Sequence, residues 1–337
     1  MSLSPVRQVE MILNGEDIGF FPNVIPINPP FLDIMTRAGV FWPEAHRDPA
    51  LMARLAMAAD DILGFNAVNV PFDMTVEAEA LGCETVWKQE RTATPQVRDR
   101  ALQDTGMLEF GDEVLSRGRF PVVLQAVKRI RDAENNRAAI IPFIEGPFTV
   151  ACLVAGVNEM FKSMIKDPER ARWILGRCTD LAVRYAGALL ENGAHSIIVL
   201  DPNVMGLTAS RFEEMILPCY EVMSGKIASN MILHICGDVG KILEHIPDSG
   251  FCAFSFDYPA VSVEQVKAAV GDRMKIIGSV PTVTHLLNGK PEEVLEVSTR
   301  MIESGTDFLS PSCFIAPETP LSNVSAMGEA VRSWNGK

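Results

Sequence analysis

The sequence has no run of basic residues and no long apolar segment. Its formal net charge is −13 at pH 7, whereas proteins that bind nucleic-acid phosphates need clustered Lys and Arg. No apolar stretch approaches the ~20 residues of a membrane-spanning helix, and the first eight residues lack the apolar core of a secretory signal. We therefore expect a cytoplasmic protein with neither a nucleic acid nor a membrane as its partner.

Two kinds of motif are also missing. Neither GxGxxG nor GxxxxGK[ST] occurs at the expected place, so both nucleotide-binding signatures are absent. No CxxC pair occurs, although structural zinc sites usually take their ligands from such local pairs. The seven cysteines are scattered, which in a reducing compartment favours free thiols or metal ligands over disulfides. We expect five of them to be small buried hydrophobic residues, namely Cys83, Cys152, Cys178, Cys219 and Cys252.

The sequence does contain a repeating unit, in which an amphipathic helix ends near a glycine and a short apolar run follows. In the clearest copy, Asp48 and Pro49 begin a helix that ends near Gly64, and the apolar run 66–72 then ends at Asp73. The same order of helix, glycine and apolar run predicts further helices that begin at Asp167-Pro168, near Val239 and at Pro291.

Eight apolar runs are candidates for strands: 21–27, 66–72, 139–144, 196–200, 231–235, 251–256, 274–277 and 307–309. Helical segments separate most of them, and this alternation predicts an α/β fold with parallel strands, most simply a (β/α)8 TIM barrel. A doubly wound open sheet is the alternative. No Ser/Gly-rich linker interrupts the chain, so we expect residues 1–337 to form a single barrel domain with a short N-terminal extension.

A barrel places its active site where the strands end and the next loops begin. The polar and sulfur-containing residues at those positions are Asp73, Glu145, Asp201, His234, Cys236, Asp257, Ser279 and Cys313. His234 and Cys236 are two residues apart on one strand, so their side chains share a face. Three ligands from different strand ends, with a fourth position open, are typical of a catalytic zinc site. A buried pair without metal is the alternative.

The segment His-Ile-Cys-Gly at 234–237, followed by Cys-Phe-Ile-Ala-Pro at 313–317, resembles the zinc signature of the methylcobamide:coenzyme M methyltransferases. These enzymes are the MtaA/MtbA-type branch of the uroporphyrinogen decarboxylase superfamily, whose fold is a (β/α)8 barrel. Segments 42–46, 118–123, 145–149 and 313–320 are similar to the same family, and the likeness spans nearly the whole chain.

This resemblance implies transfer of a methyl group from a methylated corrinoid (a methylcobamide) to the thiol of coenzyme M. The corrinoid would be carried on a separate small protein that docks over the barrel mouth. It also implies Zn²⁺ as cofactor, held by His234, Cys236 and Cys313, with the substrate sulfur in the open position. Asp257 aligns with a strand-end carboxylate that can occupy this fourth position before the thiol arrives.

Glu145 and Asp201 end two other strands. We expect them to line the cofactor-binding cavity or to orient His234 through its second ring nitrogen; the alternative is that they cap the next helix. The remaining histidines have no cysteine at ligand spacing, so we expect surface or packing roles for His46, His195, His245 and His285.

Other functions remain open. The methyl acceptor could be another thiol or tetrahydrofolate, although folate needs no thiol activation. A decarboxylase of this superfamily would carry an arginine-rich motif resembling RQAGRY, but segment 35–40 holds only Arg37. One cation cannot neutralise a polycarboxylated tetrapyrrole, so decarboxylation is disfavoured. A non-catalytic module that binds a corrinoid or a metal is the third alternative.

Overall fold

The computed structural model describes residues 3–98, 108–134, 136–227 and 231–336. Met1 and Ser2 lie outside these ranges. They belong to the first eight residues, which are expected to lack a secretory signal. In the described part of the chain the strands are β1 (Ala67–Val68), β2 (Thr85–Val86), β3 (Gln96–Val97), β4 (Ala139–Ile140), β5 (Phe143–Glu145), β6 (Ile197–Leu200), β7 (Met231–Ile235), β8 (Ala253–Phe256) and β9 (Lys275–Ile277). Strands β5 to β9 form one parallel sheet in chain order, and β1 pairs in parallel with β4.

Helices surround these strands. They are α1 (Pro5–Leu13), α2 (Leu32–Ala38), α3 (Trp42–Ala45), α4 (Pro49–Leu63), α5 (Val76–Ala80), α6 (Phe120–Glu134), α7 (Pro147–Ala155), α8 (Val157–Lys166), α9 (Pro168–Glu191), α10 (Ala209–Arg211), α11 (Leu217–Lys226), α12 (Val263–Val270), α13 (Pro291–Glu303) and α14 (Leu321–Asn335). Parallel strands alternating with helices form the (β/α)8 barrel that the sequence predicts.

Two of the eight predicted strands are extended segments instead. Residues 21–27 form no strand, because Pro22 and Pro26 have no N–H to donate to a neighbouring strand. The segment still follows the barrel wall, where Ile25 N donates to Phe65 O at 3.0 Å. Residues 307–309 join the sheet only through an isolated parallel bridge between Ile277 and Phe308.

The predicted helix boundaries are largely confirmed. The Asp48 carboxylate accepts hydrogen bonds from the N–H groups of Ala50 and Leu51 at the start of α4, and Gly64 ends it with φ +65°. Helices α9 and α13 begin at the predicted prolines. The helix expected near Val239 is wrong: only a 3₁₀ helix over Leu243–Ser249 forms there, and Pro247 lies within it.

Apolar side chains fill the barrel interior. The interior cluster comprises Val9, Ile12, Leu13, Val24, Ile27, Ala67, Ala139, Ile141, Phe143, Ile198, Leu200, Ile232, Ala253, Ile277 and Phe308. Three of these residues come from α1, so the N-terminal helix packs against the interior of the barrel. A larger cluster fills the space between the strands and the surrounding helices. The interior is thus a packed core, and polar chemistry is confined to the strand ends.

No single helix among the described residues is both long and apolar enough to cross a membrane. Helices α7 and α8 are long and apolar enough only when they are taken together, and they meet at a bend of 105°.

Candidate metal centre at the barrel mouth

The strand register brings His234 and Glu145 to the same level of the barrel. Glu145 pairs with Leu200, and Leu200 pairs with His234 on the next strand. Phe143 and Ile232 both belong to the interior cluster, and side chains two residues apart on a strand share a face. Glu145 and His234 therefore both point towards the barrel interior.

Three predicted metal ligands converge at this mouth. The Nε2 atom of His234 lies 3.0 Å from the Sγ atom of Cys236, which lies 3.0 Å from the Sγ atom of Cys313. These three ligand atoms all lie within 4.8 Å of one another, and both cysteines are free. His234 is buried, whereas the two cysteines are half-buried. The arrangement is a compact set of one nitrogen and two sulfur donors.

A buried serine holds the imidazole ring in place. The Nδ1 atom of His234 lies 2.9 Å from the Oγ atom of Ser255, its register partner on β8, and Ser255 is fully buried. When Nδ1 carries the ring proton and donates it to this oxygen, Nε2 presents its lone pair towards the two sulfurs. The expectation that Glu145 or Asp201 fills this orienting role is wrong, because Ser255 has that position.

Gly237 keeps the backbone beside the sulfur atoms free of a side chain. It adopts φ +78°, and a Cβ atom at this position would lie 2.5 Å from the Sδ atom of Met205. The left-handed backbone favours glycine here, whereas the exposed, flexible Met205 side chain could move aside. The chain can therefore turn away directly after Cys236 while the Met205 side chain covers the turn.

The two thiols share their protons unequally. The hydrogen bond from Cys236 lowers the pKa of Cys313 to about 4 against the opposing effect of burial, and His234 lowers it further. The same hydrogen bond, together with burial and the charge of Asp257, raises the pKa of Cys236. One thiolate thus forms readily, and the second needs a further positive charge, such as that of a metal ion, to form beside it.

Asp257, the predicted fourth ligand, lies at the edge of the centre. Its Oδ2 atom accepts a hydrogen bond from Gly237 N at 3.3 Å, and its side chain is half-buried. Among the described residues, the ligand atoms that lie within 4.8 Å of one another do not include an oxygen of Asp257. Its role as a resting-state ligand stays a prediction.

Glu145 is a buried carboxyl group with an unused oxygen. The residue is 2% exposed, and its Oε2 atom has no hydrogen-bond partner among the described residues. Burial, followed by the charges of Glu77, Asp201 and Asp73, raises its pKa well above the usual range. Burial likewise raises the pKa of Glu77 to about 7. Its predicted contact with a cofactor stays a prediction.

Asp201 caps a helix. Its carboxylate accepts hydrogen bonds from Thr149 N and Oγ1, both at 2.7 Å, from Phe148 N at 3.3 Å and from Tyr220 Oη at 2.9 Å. These donors belong to the first turn of α7, which precedes Asp201 in the chain, and to α11. Asp201 makes no side-chain cap hydrogen bond to the next helix, Pro202–Gly206, so the expected alternative of capping that helix is wrong. Its predicted contact with a cofactor stays a prediction. Burial raises the pKa of Asp201 to about 6, against the effect of these hydrogen bonds.

A buried ionic cluster lies next to the mouth. Arg119 donates to both oxygens of Asp73, at 2.7 and 2.9 Å, and to Glu79 at 2.6 Å. The Nδ1 atom of His46 lies 2.9 Å from Asp73 Oδ2. Burial alone would raise the pKa of Asp73, but Arg119 and then His46 outweigh it and hold that pKa well below its usual range. The structure thus assigns Asp73 two partners that lie far from it in sequence.

Sequence reasoning missed this cluster. The expected packing role of His46 is confirmed, because its buried ring packs near Trp42, Phe72 and Trp87. Its contact with Asp73 is not expected from the sequence. The only available signal was that His46 and Arg119 both lie in segments that resemble the family, 42–46 and 118–123.

A cavity of about 520 Å³ lies beside Cys313, one of the three ligand residues. Its lining includes Trp42, Asp73, Thr75, Thr92, Thr94, Cys313 and Ile315. Cys313 is therefore shared by the metal-ligand group and the cavity wall. A small molecule in this cavity would lie beside Cys313.

The remaining cysteines take no part in this centre. Cys83, Cys152, Cys178 and Cys219 are buried as expected, whereas Cys252 is half-buried, and all are free thiols. Among the other histidines, His195 accepts a hydrogen bond from Ile140 N at 2.9 Å. Neither His245 nor His285 belongs to the metal-ligand group of the described residues.

Comparison with known proteins identifies the family of this chain. The sequence model of the family described as uroporphyrinogen decarboxylase (URO-D) matches residues 12–334. A methylated-thiol–coenzyme M methyltransferase of Methanosarcina mazei is 32% identical over 332 residues, which cover 98% of this chain and 89% of the relative. The methylcobamide:CoM methyltransferase MtaA of Methanosarcina barkeri is 31% identical, with 94% of each chain covered.

A solved structure, described as a methyltransferase from Methanosarcina mazei, has the same fold. Its TM-score is 0.94 at 32% sequence identity, and the match covers 98% of this chain and 99% of the other. The chain therefore belongs to the uroporphyrinogen decarboxylase (URO-D) family and, within it, to the methylcobamide:coenzyme M methyltransferases of the MtaA/MtbA type.

Proposed function

We propose that this protein is a zinc-dependent methyltransferase that moves a methyl group from a methylated corrinoid to a thiol, most simply coenzyme M. The convergence of His234, Cys236 and Cys313 beside the 520 Å³ cavity carries this proposal. The names of its relatives support the corrinoid donor and coenzyme M as acceptor. The corrinoid would be held by a separate protein, and the chain would act as one domain over residues 1–337 in the cytoplasm.

The donor set fits zinc. Ligands that each lie 2.0–2.3 Å from one ion are separated from each other by roughly 3–4 Å, close to the 3.0 Å contacts at Cys236. Two thiolates and one neutral imidazole would balance the charge of Zn²⁺. When bound, the metal would supply the positive charge that keeps an added thiol deprotonated and reactive.

The chain's own residues would then position the reaction. Ser255 fixes the ring of His234, and Gly237 turns the backbone away from the sulfurs. Cys313 would hold the metal and also lines the cavity in which the acceptor thiol would lie. In the reaction a sulfur–carbon bond forms, the cobalt–carbon bond breaks, and cobalt keeps the electron pair of that bond.

The cavity favours a small acceptor over a porphyrinogen. Among the described residues that line it, none is Arg or Lys, and Arg119 nearby is engaged with Asp73 and Glu79. A polycarboxylated tetrapyrrole would need several cations, so decarboxylation remains disfavoured. The sulfonate of coenzyme M would depend on hydroxyl and N–H donors such as those of Thr92 and Thr94.

Metal analysis combined with a methylcobalamin assay tests the proposal. Coenzyme M, homocysteine and tetrahydrofolate would be compared as acceptors for the wild type, Cys313→Ala and the matched control Cys252→Ser. We expect about one zinc per chain in the wild type and the control, together with thiol-dependent demethylation that Cys313→Ala loses. Full activity in protein that contains no metal would refute zinc dependence, and activity with tetrahydrofolate alone would refute the thiol acceptor.

A further inference from the structure

The sulfur atoms of Cys236 and Cys313 lie within reach of each other, although the two residues are far apart in sequence. Their Sγ atoms are 3.0 Å apart, and both cysteines are free thiols. A disulfide bond measures about 2.05 Å, so the two sulfurs need to approach by only about 1 Å to become linked. Cys236 directly follows the end of β7, and Cys313 lies in the loop after the bridge between Val280 and Pro311. Neither cysteine is therefore held inside a strand.

The other five cysteines are less suited to form a disulfide. Four of them are buried, and the Sγ atom of Cys252 donates a hydrogen bond to Met231 O at 3.0 Å. Cys236 and Cys313 are half-buried, and Cys313 also lines the 520 Å³ cavity. A small oxidant in this cavity would lie beside Cys313. Exposure and proximity thus single out one pair of thiols.

A covalent link between the two sulfurs would abolish the metal centre. Cysteine binds metals as the thiolate, and a disulfide sulfur has no such negative charge to offer. Of the three ligands whose atoms lie within 4.8 Å of one another, only His234 would remain, whereas zinc sites use three or four protein ligands. The oxidised pair and a bound metal therefore exclude each other.

We propose that Cys236 and Cys313 form a reversible disulfide when a peroxide oxidises them, and that this disulfide releases the metal and switches the centre off. A small thiol in the cavity then reduces the disulfide and switches the centre on again. Formation of the disulfide depends on the geometry of the two cysteines alone. The loss of metal and of methyl transfer rests on the proposed function.

In the oxidation, the thiolate of Cys313 attacks one oxygen of hydrogen peroxide. A sulfur–oxygen bond forms, the oxygen–oxygen bond breaks, and the hydroxide that leaves takes up a proton to become water. The sulfur of Cys236 then attacks the sulfenic acid on Cys313, so that the sulfur–sulfur bond forms, the sulfur–oxygen bond breaks and a second water leaves. The two thiols lose two electrons, and the peroxide is reduced to water.

In the reduction, the thiolate of a small thiol attacks Cys313, the cysteine that lines the cavity, and Cys236 leaves as a thiolate. A second thiol molecule attacks the mixed disulfide, which frees Cys313 and gives the disulfide of the small thiol. Because the acceptor in the proposed function is itself a small thiol, an abundant acceptor would keep its own metal centre reduced.

Peroxide treatment of the zinc-loaded protein tests this switch. Wild type and the matched control Cys252→Ser would each receive equimolar hydrogen peroxide. A chromophoric chelator measures the released zinc, and mass spectrometry after alkylation of the free thiols locates the disulfide. In both proteins we expect a link between Cys236 and Cys313, with about one zinc released per link. Excess coenzyme M should then restore both thiols and the binding of zinc.

The metal-free wild type and metal-free Cys236→Ser would be oxidised in the same way, because this variant lacks one of the ligands. We expect the link in the wild type, and we expect Cys313 of the variant to stay unlinked to any other cysteine. Equal melting temperatures of the two metal-free proteins would confirm that the variant folds.

Three results would overturn the inference and leave the proposed function intact. They are zinc release without the link, a link between other cysteines, and a link that dithiothreitol but not coenzyme M reduces. A wild type that forms the link but never binds zinc would instead overturn the proposed function, together with the release of metal that rests on it.

Discussion

The Oγ atom of Ser255 lies 2.9 Å from the Nδ1 atom of His234, on the side of the imidazole ring opposite the two cysteine sulfurs. The two residues are register partners on adjacent strands. The pairing of β7 with β8 therefore fixes the direction of a metal ligand, and Ser255 is the oxygen acceptor that metal-binding histidines commonly use to hold their orientation.

Replacing Ser255 should weaken metal binding with little effect on the fold. In Ser255→Ala the ring loses its acceptor and can rotate, so we expect zinc affinity to fall about 10–100-fold. Chelator competition measures the change. Ser298→Ala is the matched control, since Ser298 is equally buried but lies on α13. Equal affinities in the two variants would show that the serine does not position His234.

Gly146 should tolerate no side chain. A Cβ atom there would lie 2.3–2.4 Å from the Asp201 carboxylate and would push it away from the first turn of α7. We expect Gly146→Ala to cost at least about 1–3 kcal/mol of unfolding free energy, measured by urea denaturation. Gly176→Ala, on the exposed face of α9 with no atom within 4 Å of its Cβ position, should be neutral or stabilising. An equally harmless Gly146→Ala would contradict the capping role of Asp201.

Arg119 should be essential for stability, because it neutralises buried Asp73. Its side chain and that of Asp73 are 5% and 1% exposed. Arg119→Met leaves the carboxylate buried without its main partner, so we expect a loss of about 3–5 kcal/mol in chemical denaturation. Arg273→Met breaks an exposed pair with Asp248 and should cost no more than about 1 kcal/mol. Similar losses of unfolding free energy in both variants would show that burial does not make the Arg119–Asp73 pair more important than an exposed pair.

Asp60 should make stability depend on pH. Burial raises its folded-state pKa to about 6, compared with ~3.9 in an unfolded chain. Because the folded-state pKa is the higher one, the folded protein binds the Asp60 proton more tightly than the unfolded chain does. This contribution to stability is complete at pH values below the unfolded-state pKa and is lost as the pH rises through 6. Asp60→Asn should therefore gain stability relative to the wild type as the pH rises from 5 to 8, by about 1.5 kcal/mol.

Thermal unfolding at the two pH values measures this gain. Asp61→Asn is the control, because Asp61 is exposed and paired with exposed Arg137, and its effect should be nearly the same at both pH values. A pH-independent difference between Asp60→Asn and the wild type would contradict an ionisation of Asp60 in this range.

The sequence by itself determined the helix boundaries and the three sulfur and nitrogen donors. The helix starts at Asp48 and Asp167 depend on hydrogen bonds between the aspartate side chain and N–H groups in the first turn of the helix. Both partners of each bond lie within the same short segment of sequence, so the segment alone predicts the helix start. The two-residue spacing of His234 and Cys236 fixes their common face, because strand side chains alternate. Local patterns failed where proline intervened, over 21–27 and at Pro247.

Only the tertiary structure decided which polar residues meet. Ser255 reaches His234, Asp201 caps a helix that precedes it by some fifty residues, and Arg119 neutralises Asp73, all through contacts between distant segments. The reason is physical: a carboxylate or hydroxyl at a strand end has the same local sequence whether it binds a ligand, caps a helix or pairs with an arginine. Its role depends on which partner the closure of the barrel brings within about 3 Å, and that distance is not encoded in the spacing of neighbouring residues.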